Sequence, residues 1–139
     1  MQAKTLCFSF VAGLMLAMTK PAIAGVPDDI RKDFAHAVYD GSPELVHNRN
    51  PQPLLRAVIV LNVKLDEGDH WRAEVVRTND EQPEMLVRAM ETVRRAPPIQ
   101  LTEEAKSELR RNGFIEAWLF DNDGSFQVKT LAKAQRSSM

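Results

Sequence analysis

Between Leu54 and Asp66 the chain alternates with a period of two. Leu55, Ala57, Ile59, Leu61, Val63 and Leu65 fall on one face. Arg56, Val58, Val60, Asn62 and Lys64 fall on the other, which is apolar only in its middle. Such a run, rich in β-branched residues, predicts a strand buried on one side and central in its sheet. Asp66-Glu67-Gly68-Asp69 predicts a hairpin turn with Gly68 as the residue free to take a positive φ. The return strand is 70–78, with Trp71, Ala73 and Val75 facing one way and Arg72, Glu74 and Val76 the other.

Past Asn79-Asp80 the period changes. Met85, Leu86, Ala89, Met90 and Val93 form one stripe at helical spacing, with Glu84, Arg88, Glu91, Arg94 and Arg95 on the polar side, so a helix is predicted over 81–95. Pro97-Pro98 stops it. Thr102 with Glu103 and Glu104 opens a short helix that ends at Asn112-Gly113. A strand follows at 114–120, with Phe114, Glu116, Trp118 and Phe120 opposite Ile115, Ala117 and Leu119. Both faces are largely apolar, so one is expected to pack on helices and the other under the N-terminal helix. Asp121-Asn122-Asp123-Gly124 turns the chain into a last strand over 125–131. Upstream, Ile30, Phe34, Ala37 and Val38 make a helical stripe after Asp28 and Asp29, whose carboxylates suit a helix start as caps and as charges. Residues 42–53, with three prolines, read as an irregular connection.

The order helix–strand–strand–helix–helix–strand–strand predicts an α+β fold, an antiparallel sheet with helices on it. A right-handed helical crossover sets the third strand beside the first, giving sheet order 2-1-3-4 and a central first strand.

The first 24 residues carry a different pattern. Lys4 precedes an apolar run of about 13 residues from Leu6 to Met18, and Ala22-Ile23-Ala24 follows. That predicts a secretory leader cleaved after Ala24; the run falls short of the roughly 20 residues of a membrane span. The expected organisation is therefore a leader at 1–24, a helix and proline-rich connection at 25–53, a domain at 54–131 and a tail at 132–139. The exported part keeps 16 basic and 19 acidic residues, a net charge of −3, which argues against a general nucleic-acid binder. Cys7, the sole cysteine, falls within the leader, so stability in an oxidising compartment must come from the core and not from disulfides.

The stretch VIVLNVKLDEGDHWRAEVVRTNDEQPEMLVRAMETVRRAPPI resembles the C-terminal domain of TonB and TolA proteins. The likeness lies in the strand, the Asp/Gly turn, the second strand, the helix Met85-Leu86…Ala89…Val93…Ala96 and the proline run; its RAPPI end is nearer the TolA version. It covers residues 54–100, and 113–120 more loosely. The resemblance implies a periplasmic, non-catalytic domain that binds envelope protein segments by adding a strand to a sheet edge. Three departures from that family are expected: a cleaved leader in place of the uncleaved inner-membrane anchor, no long linker, and Asn50-Pro51-Gln52-Pro53 where an aromatic-proline pair is usual.

No constellation of catalytic groups stands out. His36, His47 and His70 lack ligand spacing. The DNDG run at 121–124 resembles half a calcium loop without the closing glutamate, and reads as a turn. No cofactor and no metal is expected, and no serine lies in an elbow motif. The candidate partner-binding residues are Ser125, Gln127, Val128 and Lys129 on the last strand, Trp118 as an aromatic, and Arg88 and Arg95 on the helix. Either the 125–131 or the 70–78 strand is expected to supply the interaction edge. The alternatives are a secreted inhibitor or immunity-like protein acting through 42–53, and a small periplasmic enzyme with a polar cleft. The partner and the oligomeric state are left open.

Overall fold

The computed structural model describes residues 25–133. The predicted leader and most of the tail lie outside the described residues. The elements are α1 (Asp28–Gly41), β1 (Ala57–Leu65), β2 (Trp71–Arg77), α2 (Pro83–Arg95), α3 (Glu103–Arg111), β3 (Phe114–Phe120) and β4 (Phe126–Val128). The four strands form one antiparallel sheet in the order β2-β1-β3-β4, so the architecture is α+β with a central β1, as the pattern predicts.

The period-two alternation of β1 is realised residue for residue: its odd positions, Ala57 to Leu65, are buried and its even ones half-buried. Helices α1 and α2 pack on that odd face. Phe34 of α1 meets Trp71, Phe114 and Trp118 edge-on, with ring centroids 4.8, 5.3 and 6.5 Å apart. Met85, Ala89 and Val93 of α2 complete the same core, and Trp118 Nε1 donates to Thr92 Oγ1 at 2.9 Å, which satisfies the one polar atom of a fully buried ring. Helix α1 is thus part of the same core as the segment 54–131.

Several local expectations are corrected. Helix α1 does not cover the second face of β3. It lies on the face that carries Phe114 and Trp118, and Ile115 on the opposite face is half exposed. The sheet is single-sided: all helical aromatic contacts fall on one face, and Val58, Val60, Ala117 and Leu119 line the other.

Helix α1 starts after Pro27, which has no side chain to cap it; Asp28 and Asp29 lie in the first turn and act there by charge. Helix α2 begins at Pro83, two residues later than expected, because the pyrrolidine ring suits the first helical position. Thr102 caps α3 as read, its Oγ1 accepting from Ala105 N–H at 3.2 Å.

In the β1–β2 hairpin the left-handed residue is Asp69, at φ 62°, and not Gly68. The loop has three residues. Asp69 N–H donates to Asp66 O, closing a tight turn, and Asp66 N–H donates to His70 O beyond it. In that geometry the third loop residue must be left-handed. An aspartate tolerates this better than most side chains, and its carboxylate is held by Lys106 and Arg110 of α3.

The last strand is shorter than predicted. Pairing runs only from Phe126 to Val128, and Lys129–Leu131 turns into a single 3-10 turn.

Candidate functional site

A four-stranded sheet has two edges, and this one treats them differently. The β4 edge is closed by the chain's own 46–49 segment. Val46 forms a parallel bridge with Phe126, and His47 N–H donates to Phe126 O at 2.8 Å. Gln127 Nε2 donates to both His47 O and Arg49 O, at 2.8 and 2.7 Å, and its Oε1 accepts from Lys133 N–H. Val128 N–H donates to the Tyr39 hydroxyl at 3.1 Å. Burial pushes the Tyr39 hydroxyl above its ordinary titration range, so it stays protonated.

The same clamp holds a serine, a histidine and an aspartate together. His47 Nδ1 lies 2.8 Å from Ser125 Oγ, and His47 Nε2 lies 3.1 Å from Asp121 Oδ2 without forming a hydrogen bond. Asp121 Oδ1 also accepts from Gln52 N–H. Beside them opens a polar cleft of about 530 Å³, with Glu44, Asn48, Arg49 and Asn50 on its walls. Sequence reading missed this set because its members lie on a loop and a hairpin 78 positions apart, and no spacing rule joins them.

The set differs from a nucleophile–base pair in where the serine proton goes. Ser125 Oγ–H and Ser125 N–H both donate to Asp123 Oδ1. These bonds from Ser125 hold the Asp123 carboxyl below the usual carboxylate range, so it remains an acceptor at neutral pH. The serine N–H that helps bind an oxyanion in many acyl-transfer sites is thereby already engaged. The arrangement is that of a staple between loop and hairpin.

The candidate partner-binding residues do not come together on one surface. Trp118, Gln127 and Val128 are buried, Ser125 is half-buried in the staple, and only Lys129 of that stretch is exposed. Arg88 Nη1 donates to Gly124 O at 2.6 Å and fastens α2 to the β3–β4 turn. Arg95 is exposed and bridges Glu91 and Glu44.

The β2 edge is open. Among the described residues no backbone group pairs with its outer side. Because inward and outward groups alternate from the Asp66–His70 pair, Trp71, Ala73 and Val75 direct their N–H and C=O groups away from β1. Val76 has no partner in the β1 register and forms a bulge, so the regular part of the edge ends at Val75.

An apolar groove runs beside this edge, floored by Trp71 and Ala73 and walled by Leu86, Val87, Met90 and Val93 of α2. Val87 is 69 % exposed and Val75 47 %. A second hollow, lined by His70, Trp71, Arg94 and Pro98, continues it toward the hairpin turn.

Among the described residues no helix is long and apolar enough to cross a membrane, and no group of three or more His, Cys, Asp or Glu could hold a metal ion. No family model matches the chain, and no curated protein and no solved structure matches it.

Proposed function

We propose that this protein is an exported, non-catalytic binding module that receives an extended segment of a cell-envelope protein alongside β2. One observation carries the reading: the β2 edge offers unpaired backbone groups next to an apolar groove, while the opposite edge is stapled shut. A strand added there gains main-chain hydrogen bonds from Trp71, Ala73 and Val75, and alternate side chains enter the groove between β2 and α2. The likeness of residues 54–100 to TonB and TolA C-terminal domains supports the same mode of binding, and the leader-like first 24 residues support the compartment.

The test is capture from envelope extract with residues 25–139 as bait, set against the same bait carrying Ala73→Pro. Proline at that position removes one outward N–H and leaves the β1 ladder intact. A segment held by the wild type and lost by the folded variant supports strand addition at β2. Equal capture by both overturns it.

A second reading, acyl transfer at Ser125, is favoured by the 2.8 Å contact with His47 beside the polar cleft. Labelling of Ser125 by a serine-directed phosphonate, abolished in His47→Ala, would carry it. Absence of labelling removes it.

A further inference from the structure

We infer that two copies of this chain pair through β2, antiparallel and two-fold related about Ala73, joining their sheets into one of eight strands. The inference rests on the same open edge as the binding proposal and names a different occupant. It follows from the order of residues along that edge. The bulge at Val76 and the turn residue His70 leave a regular window from Trp71 to Val75, whose centre is Ala73. A two-fold axis there sets Trp71 opposite Val75 of the other copy, and Ala73 opposite Ala73. These are the residues whose backbone groups point outward, so about six hydrogen bonds form without disturbing either β1–β2 ladder.

The side chains agree with that register on both faces. On the open face Arg72 falls opposite Glu74 of the second copy, and Glu74 opposite its Arg72. Both side chains are largely exposed, at 64 % and 66 %. Their present partners, Asp66 for Arg72 and Lys64 for Glu74, lie on the β1 side and are kept. Opposite charges at non-hydrogen-bonded positions are the closest cross-strand neighbours in an antiparallel pair. On the helical face, Leu86, Val87 and Met90 of each copy meet across the axis and cover the groove. A shift of the axis by one residue would set Glu74 against Glu74 of the other copy in one direction and Arg72 against Arg72 in the other, so charge as well as the bulge selects Ala73.

The experiment is sedimentation equilibrium of the purified protein, of Arg72→Glu, of Glu74→Arg, and of the two variants mixed. Either variant alone sets two like-charge pairs across the axis and weakens self-association by about tenfold or more. The mixture restores it, because both cross-axis pairs in the mixed dimer then join a glutamate of one variant to an arginine of the other. Circular dichroism confirms that both variants are folded.

A wild type that stays monomeric to millimolar concentration, or a dimer indifferent to either reversal, overturns the inference. Capture of an envelope segment separates the two claims. A monomeric wild type whose capture depends on Ala73 removes the dimer and leaves the binding module standing. A charge-dependent dimer whose capture ignores Ala73→Pro does the reverse.

Discussion

Gly113 and Gly124 share a left-handed backbone, at φ 67° and 80°, yet differ in what surrounds them. A Cβ on Gly113 would sit 2.3 Å from the Val63 carbonyl oxygen, a backbone wall of the central strand. A Cβ on Gly124 would sit 2.4 Å from Arg88 Nη1, the far end of a movable side chain. Gly113→Ala is therefore expected to cost roughly 2 kcal/mol or more and Gly124→Ala about 1 kcal/mol. Urea unfolding midpoints of the two variants check the order; equal losses would contradict it.

Trp118 makes the same point about surroundings. Its ring is wholly buried among Phe34 and Thr92, so Trp118→Ala is expected to lower stability by about 3–5 kcal/mol. An exposed docking aromatic would cost far less on truncation.

At the scale of elements, what decides the behaviour of β4 is the segment clamped on it. Removing the amide in Gln127→Ala leaves two part-buried carbonyls, those of His47 and Arg49, without this donor. The expected cost is about 1–3 kcal/mol. Hydrogen exchange at His47 and Val128 should quicken while β1 stays protected, and unchanged exchange at those amides would show that the clamp is held elsewhere.

The β1–β2 turn responds to acid. Hydrogen bonds from His70 N–H and neighbouring groups hold the Asp66 carboxyl below its ordinary range, and Lys106 and Arg110 do the same for Asp69. A carboxylate lowered on folding adds stability that is complete above its unfolded value of about 4 and fades as pH falls through the lower folded value. Thermal melting from about pH 5 downward should show this loss, and Asp69→Asn should flatten it.

The elements with a strong period were legible in the chain: β1 from its alternation, α2 from its stripe and proline stop, α3 from Thr102 and Gly113. Sheet order followed from the crossover rule alone. The fate of β4 was not legible, since Ser125, Gln127 and Val128 read as ordinary strand positions, and the 46–49 segment that binds their outer side lies about 80 residues away in the chain. The open edge was half legible. The sequence names 70–78 as a strand, but only the pairing shows that nothing among the described residues adds to it, and that Val87 and Met90 line a groove beside it.

For the whole molecule, one edge is closed and the other open, and that asymmetry is the basis of the proposed function. The closed edge is held by side-chain bonds to backbone carbonyls and by the His47–Ser125 contact, so it is not available for pairing unless the 46–49 segment leaves. The open edge carries Arg72, Glu74 and Arg77, charges of the kind that discourage indiscriminate pairing while permitting a matched partner. Val75→Lys should accordingly leave stability within about 0.5 kcal/mol of wild type while weakening strand addition, because Val75 is exposed and a lysine there adds a charge at the end of the regular window.

The most direct test of the account is hydrogen–deuterium exchange of residues 25–139, at a concentration where the protein is monomeric, alone and with the extended segment that the bait captures. New protection on Trp71, Ala73 and Val75, with Phe126 to Val128 unchanged, is the predicted result. New protection along Phe126 to Val128 with release of the 46–49 amides, or none on β2, would contradict it.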